Sequence, residues 1–274
     1  MSPSRWLNFP LACAASMLIA LHAAGKPVPA PAPLSAEQMA VFNGTNTDDI
    51  LEMADHFRNG DSGFPKDPAN AAGFYRRAAD LGSDRAALGM GYFYAHGFGL
   101  EQDYAQAMHW YRIAADHKDP EACNNIGYLY QNGLGVTRDY QSAREWYVKA
   151  DALGDANGMN NLGYLFAHGL GVTIQPMAAF TWYEKAAKGG LPAGMYNVGR
   201  CYEKGFGVTQ GYATAVEWYV KAASAGEAAA MYRLGVMYDA GHGLTADHLT
   251  AMMWIEKAAD AGDEDARKWL ESRR

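Results

Sequence analysis

Residues Ile126–Lys149 read IGYLYQNGLGVTRDYQSAREWYVK, and the same pattern recurs at a fixed interval along the chain. Two glycine positions and one tryptophan position repeat every 36 residues: Gly97, Gly133, Gly169, Gly205 and Gly241; Gly99, Gly135, Gly171, Gly207 and Gly243; Trp110, Trp146, Trp182, Trp218 and Trp254. A constant period of this length is typical of a solenoid, in which each unit packs only on its neighbours. The sequence therefore predicts a repeat array.

Each repeat is predicted to be an antiparallel pair of helices, as residues 84–119 illustrate. Its first apolar face, at helical spacing, comprises Ala87, Met90, Gly91 and Tyr94. Gly97 and Gly99 then end the helix, because glycine accepts the left-handed conformation that closes one. Asp103 is placed to cap a second helix, whose own apolar face includes Trp110. One such pair cannot bury both faces, so stacking is required.

The array is predicted to occupy residues 46–274, as six helix pairs and a C-terminal capping helix. Counting back by one period finds a degenerate first repeat, in which Phe74 stands for the tryptophan and Gly63 for the second glycine. Terminal repeats are often atypical, because one of their faces meets solvent. At the other end, residues 264–274 (EDARKWLESRR) carry one apolar face and many charges.

The N-terminal 45 residues differ from the repeats in composition. Residues 1–25 contain one cation, Arg5, and then an apolar run, which is typical of a signal peptide and too short for a spanning helix. Cleavage before Lys26 would leave a Pro/Ala-rich tether over residues 26–45, expected to be extended and unable to pack. A lipoprotein signal at Cys13 is the alternative, against which Pro10 counts. The protein is thus predicted to be periplasmic or secreted.

Charge and cysteine content argue against a nucleic-acid-binding protein and against a fold held by disulfides. The net charge of −7 and the scattered Lys and Arg residues do not favour nucleic-acid binding. Cys123 and Cys201 lie two repeats apart, too far for a disulfide, so both are expected to be buried thiols.

The repeated line LGxxYxxGxGVxxDxxxAxxWYxKAA, seen here as VGRCYEKGFGVTQGYATAVEWYVKAA, resembles the Sel1-like repeat, a relative of the tetratricopeptide repeat. The resemblance covers residues 48–263. It implies an all-α, right-handed superhelical solenoid that acts as a protein-binding adaptor, often in bacterial envelope signalling, host contact or immunity against toxic effectors. Some exported members with one disulfide per repeat are associated with penicillin binding or weak β-lactamase activity; this chain lacks those paired cysteines.

No catalytic constellation is found in the sequence. The G-x-G pairs follow helices and lack the third glycine of a dinucleotide loop, so helix termination explains them. G-x-S-x-G, H-E-x-x-H and S-x-x-K motifs are absent. His96 and His168 share a repeat position but are too far apart for one metal ion. We expect no enzyme activity, no cofactor and no metal.

A candidate binding surface lies on the first helix of each repeat, opposite its core positions. In tetratricopeptide-like arrays, which the chain resembles, this face lines a concave groove. The predicted groove residues are Tyr92, Asn124, Asn125, Tyr128, Asn160, Asn161, Tyr164, Tyr196, Asn197, Arg200, Tyr232 and Arg233. Amides can pair with an extended peptide backbone, tyrosines suit binding surfaces, and the two arginines can hold a carboxylate. Alternatively, the asparagines bond between repeats and the tyrosines pack between first helices.

The predicted function is an exported adaptor or regulator that holds a protein or peptide partner, such as an envelope protein, a sensor or an effector. An immunity protein that neutralises a toxic effector is the alternative that differs only in its partner. A cell-wall or β-lactam-binding envelope protein with weak hydrolase activity is the alternative from another class.

Overall fold

A computed structural model describes residues 29–61 and 63–273, and in this part of the chain every regular element is an α-helix. The predicted signal peptide lies outside the described residues. The helices are α1 (Ala36–Asn43), α2 (Thr47–Asn59), α3 (Pro68–Asp80), α4 (Asp84–His96), α5 (Tyr104–Asp116), α6 (Pro120–Asn132), α7 (Tyr140–Ala152), α8 (Ala156–His168), α9 (Pro176–Lys188), α10 (Pro192–Lys204), α11 (Tyr212–Ser224), α12 (Ala228–Ala240), α13 (His248–Asp260) and α14 (Glu264–Glu271).

The helices form two compact units, which divide between Leu153 and Gly154. In unit 1, α2 pairs with α3, α4 with α5 and α6 with α7, and each pair packs on the next. In unit 2, α8–α9, α10–α11 and α12–α13 pair in the same way, and α14 packs on α13. The prediction of six helix pairs and a capping helix is therefore confirmed.

The two loop glycines of each repeat have different tasks. Gly97 ends α4 in the left-handed conformation, with φ of 63°. Gly99 also has a positive φ, but a Cβ atom there would lie only 2.0 Å from the carbonyl oxygen of Pro68, at the start of the preceding second helix. A Cβ atom on Gly207 would likewise lie 2.2 Å from the carbonyl oxygen of Pro176. The G-x-G pair thus ends one helix and seats the loop against the backbone of the previous repeat.

In the second to fifth repeats, a third glycine makes room for a buried aromatic ring. A Cβ atom on Gly127 would lie 2.6 Å from the ring of Tyr147, which is fully buried. The tryptophans differ in depth: Trp110, on the predicted apolar face, is 7% exposed, whereas Trp182 is only half-buried and Lys185 lies 5.1 Å from its ring centroid. The residue that follows each tryptophan occupies the deeper site; it is a tyrosine in four repeats, such as Tyr183 at 5% exposure, and Ile255 in the last.

The second helices are capped as predicted at three positions. The carboxylate of Asp103 accepts hydrogen bonds from the backbone N–H groups of Ala105 and Gln106. Asp139 and Asp247 do the same for α7 and α13.

The segment predicted as an extended tether is partly folded. α1 lies within residues 26–45, and the ring of Phe42 packs edge-to-face on Phe74 at 5.1 Å. Arg77 donates hydrogen bonds to the carbonyl oxygens of Phe42 and Gly44, and the N–H of Ala32 donates to Asp67. The composition of the segment concealed one aromatic anchor and a capping box at Ser35 that starts the helix. The segment covers the free edge of the first helix pair.

Candidate functional site

In unit 1, the predicted groove retains two half-buried tyrosines, Tyr92 and Tyr128. Each packs against a polar residue one turn later on the same helix. The ring of His96 lies 4.2 Å from that of Tyr92, and the amide of Asn132 donates to the backbone carbonyl of Tyr128 at 2.9 Å. Desolvation by the surrounding protein lowers the pKa of His96, which favours the neutral imidazole. This part of the face offers aromatic area without charge.

Four of the predicted groove asparagines are buried: Asn124, Asn125, Asn160 and Asn161, with exposures of 4–8%. Asn197 is half-buried, and its amide donates to the side-chain oxygen of Asn160 at 2.8 Å, from α10 to α8. This bond joins successive first helices, which is the structural role left open by the sequence. Because they are buried, Asn124, Asn125, Asn160 and Asn161 lie outside the surface that a partner can touch in this structure.

Unit 2 presents the accessible part of the face. Tyr164 is 39% exposed, and its ring lies 4.0 Å from that of His168. Tyr196 and Tyr232 are half-buried, whereas Arg200 is exposed, with its guanidinium 5.8 Å from the ring centroid of Tyr196. Within residues 29–61 and 63–273, no carboxylate pairs with Arg200. We define the exposed first-helix face as Tyr164, Tyr196, Asn197, Arg200 and Tyr232.

Arg233 was predicted to hold a carboxylate of a partner, but the structure pairs it within the chain and leaves it outside this face. Its guanidinium pairs with the carboxylate of Glu203 in the same chain, and Glu203 is only 5% exposed. The hydroxyl of Tyr219 donates to the same carboxylate at 2.5 Å, and Lys204 lies 3.4 Å away. Burial alone would raise the pKa of Glu203, but the hydrogen bond from Tyr219 and the charge of Arg233 bring it below its usual value. The carboxylate expected from a partner is therefore supplied internally.

Unit 1 contains a similar cluster that the sequence analysis missed. The carboxylate of Asp55 is buried, accepts a hydrogen bond from Tyr75 at 2.5 Å and pairs with Arg85 at 2.9 Å. Here burial outweighs these partners and raises the pKa of Asp55. Tyr75 and Tyr219 occupy the same repeat position. The detectable signal was an acid, Asp55, at a position where the other five repeats carry glycine.

In the part of the chain that the structure describes, metal-ligating side chains are dispersed and both thiols are enclosed. Among the described residues, no three His, Cys, Asp or Glu side chains converge as metal ligands do. Cys123 and Cys201 are buried as predicted, and burial raises the pKa of the Cys201 thiol to about 11. A protonated, enclosed thiol is a poor nucleophile. No helix within 29–61 or 63–273 has both the length and the apolar character to cross a bilayer.

Comparisons with known proteins agree with the repeat boundaries. The family model for the Sel1 repeat matches residues 50–83, 84–119, 120–155, 156–191, 192–227 and 228–263. Among curated proteins, no significant match is found.

Two solved structures are 31% identical to the chain. One, a Sel1 repeat protein from Oxalobacter formigenes, has a TM-score of 0.75, with 81% of this chain and 93% of that chain covered. The other, a protective antigen present in uropathogenic Escherichia coli strains, has a TM-score of 0.71, with 84% of this chain covered. The match spans about half (49%) of the antigen's length. An immunity protein from Pseudomonas aeruginosa shares the fold at 18% identity and a TM-score of 0.57, with 86% of this chain and 84% of that chain covered.

Proposed function

Because the chain belongs to the Sel1 repeat family, we propose that it binds another protein through the exposed first-helix face and catalyses no reaction itself. The absence of a catalytic constellation from the sequence supports the second part of the proposal. We place the protein in the periplasm or outside the cell, on the strength of the signal-like residues 1–25.

One observation carries the proposal: Arg200 is exposed and has no carboxylate partner among the described residues, while Arg233 nearby has one. An exposed guanidinium held over the ring of Tyr196 is oriented to receive an acidic side chain or a C-terminal carboxylate. Tyr164 adds apolar area that the core does not use, since it is 39% exposed. The partner chemistry that fits is an acidic residue flanked by apolar ones.

The buried asparagines modify how the partner is held. Backbone pairing by an amide ladder would need accessible asparagines, and only Asn197 is partly accessible. The face therefore favours side-chain recognition, through an arginine and tyrosines, over sequence-independent recognition of a peptide backbone.

An immunity role differs from this proposal only in the identity of the partner. The likeness to a Pseudomonas aeruginosa immunity protein, at 18% identity, shows the shared fold alone and adds no argument for that role.

Site-specific photo-crosslinking in the native envelope tests the proposal. A photoreactive residue at Tyr164 should capture one defined protein, and Arg200→Glu should abolish the capture because the partner's acid would be repelled. The same residue at Val220 on α11, with a matched exposure of 40%, should capture nothing specific. Lys221→Glu gives the same change in net charge on α11 and should leave the capture unchanged.

Two outcomes would contradict the proposal. Capture from Val220 in place of Tyr164 would move the binding surface to the second helices. Capture from Tyr164 that is indifferent to Arg200→Glu would remove the electrostatic contact on which the proposed recognition depends.

A further inference from the structure

We propose that the partner of the exposed first-helix face presents two acidic side chains, one to Arg200 and the other to Lys204, which lies one turn later on α10. This inference rests on the proposed function, because it specifies the chemistry of the partner at the same site. We call Arg200 and Lys204 together the α10 cation pair.

The two cations are peculiar to α10. In the other repeats from the second to the sixth, the position of Arg200 holds tyrosine or valine, and that of Lys204 holds histidine, asparagine or alanine. Neither position therefore needs a permanent cation for the helix pair to form. Both departures from the repeat fall on one helix, which points to a requirement of α10 that lies outside the repeat architecture.

Both cations are accessible from the same side of α10. Residues four apart on a helix lie on one face, with their Cβ atoms about 5–6 Å apart. Arg200 is exposed and its guanidinium lies 5.8 Å from the ring centroid of Tyr196, one turn earlier, while the side chain of Lys204 is 67% exposed. Tyr196, Arg200 and Lys204 thus form one line along α10, and a single partner segment can reach both charges.

Glu203 does not neutralise the α10 cation pair. Its carboxylate lies 3.4 Å from the ammonium of Lys204, but it also pairs with Arg233 and accepts a hydrogen bond from Tyr219. One negative charge is therefore shared between two cations, which leaves a net positive charge even before Arg200 is counted. An ammonium has three N–H donors, so that of Lys204 keeps donors for a partner.

Acidic residues are scarce on the first helices of unit 2, although the chain as a whole carries a net charge of −7. α8 contains no Asp or Glu, α10 contains only Glu203, and α12 contains only Asp239, which pairs with Arg273 at 3.2 Å. The loops that follow α8 and α10, residues 169–175 and 205–211, contain no acid. Among the described residues at the C-terminal ends of α8 and α10, the charge without an internal counter-charge is thus positive. This favours an acidic partner.

The spacing of the α10 cation pair predicts the spacing of the partner's acids. In an extended segment, residues i and i+2 point to the same side and lie about 7 Å apart. In a helical segment, residues three or four apart are neighbours, at about 5–6 Å. We therefore expect two acids separated by one residue if the segment is extended, or by two or three residues if it is helical.

Mapping the crosslink formed at Tyr164 tests this spacing. A photoreactive residue there captures the partner in the native envelope, and mass spectrometry of the crosslinked peptide locates the contact. We expect the peptide to contain two acids at one of the stated spacings. A captured peptide without such a pair would overturn the inference and leave the proposed function in place. If Tyr164 captures nothing, the proposed function fails and the inference fails with it.

Removing each charge tests the contact with Lys204. With the captured partner purified, isothermal titration calorimetry on the full chain should show that Lys204→Gln weakens binding about two- to fivefold, the range of an exposed ion pair. Lys221→Gln on α11 also removes one exposed lysine and, as the matched control, should leave the affinity unchanged.

A double-mutant cycle separates this contact from an indirect effect through Glu203. Replacing the partner's second acid with its amide should weaken binding as Lys204→Gln does, and the two changes together should cost no more than either one alone. Unchanged affinity with Lys204→Gln, or two effects that simply add, would overturn the inference. Thermal melting checks that Lys204→Gln leaves unit 2 folded.

Discussion

Replacing Arg233 with asparagine should destabilise unit 2 far more than its position near the surface suggests. The side chain of Glu203 is 6% exposed and that of Arg233 is 27% exposed. Removing one partner of a buried ion pair leaves an uncompensated charge and costs about 3–5 kcal/mol. Because Arg233 keeps about a quarter of its exposure, we expect the lower end, about 3 kcal/mol. Asparagine is the suitable replacement because Asn197 holds the same repeat position one repeat earlier.

The chain itself supplies a neutral version of the cluster. Gln131 occupies the repeat position of Glu203, and its side-chain oxygen accepts a hydrogen bond from Tyr147 at 2.9 Å. In the variant that combines Glu203→Gln with Arg233→Asn, the hydroxyl of Tyr219 should therefore still donate a hydrogen bond to the side chain at position 203. Since a buried ion pair contributes little net stability over a well-packed neutral pair, the double variant should lie within about 1 kcal/mol of wild type.

The assay is urea unfolding followed by far-UV circular dichroism, with amide hydrogen exchange to localise any opening to α10–α13. Localisation matters because repeats can open separately. Lys204→Asn is the control: Lys204 also contacts Glu203, but its side chain is 67% exposed, and exposed pairs are worth about 0–1 kcal/mol. If Arg233→Asn costs no more than this control, or if the double variant is as unstable as the single one, the reasoning is refuted.

The cluster of Glu203, Arg233 and Tyr219 also predicts that unit 2 loses stability at acidic pH. The folded-state pKa of Glu203 is lowered, so the stability that it contributes is present above the ordinary glutamate pKa of about 4.3. That contribution is lost as the pH falls through the lowered value, because the unfolded chain then binds the proton first. The difference in unfolding free energy between wild type and the double variant should therefore shift in favour of the double variant below about pH 4.

Three further predictions follow from the packing. Gly190→Ala should cost about 1 kcal/mol for its positive φ, whereas Gly207→Ala should cost about 1–3 kcal/mol more, because its Cβ would overlap the preceding repeat; thermal melting compares them. Tyr111→Phe should be neutral or stabilising, since its buried hydroxyl has no partner in the described chain, whereas Tyr147→Phe should cost about 1 kcal/mol by urea unfolding. Asp55 has a raised pKa, so wild type should gain stability relative to Asp55→Asn as the pH falls through that raised value.

The repeat architecture could be predicted because it rests on residues whose role is local. The glycine that ends each first helix and the aspartate that caps each second helix act on neighbouring backbone, so their spacing indicates helix boundaries directly. Gly97 and Asp103 are placed in the structure as the sequence predicted. α1 was missed because a Pro/Ala-rich composition hides a short helix that is held by contacts with a distant helix, from Phe42 to Phe74 and from its C-terminal carbonyl groups to Arg77.

The depth of the asparagines could not be predicted, because a helical wheel assumes a single buried face. A first helix in an array contacts its own second helix and also the helices of the preceding repeat. Gly89, at the repeat position of Asn125 and Asn161, shows the consequence: a Cβ atom there would lie 2.6 Å from the ring of Tyr75, in the preceding repeat. Side chains at this position therefore point into the junction between repeats, although they lie opposite the first core face.

The two arginines show why a binding surface cannot be assigned from residue type alone. Arg200 and Arg233 interrupt their respective columns in the same way, and the sequence assigned both to a partner's carboxylate. The structure separates them through one residue, Glu203, which no repeat pattern links to Arg233 because the pair lies 30 residues apart. Arg233→Asn should thus alter stability, whereas Arg200→Ala should alter binding of the partner at unchanged stability. Arg200 therefore belongs to the exposed first-helix face because no carboxylate among the described residues pairs with it, whereas Arg233 is withdrawn from that face by Glu203.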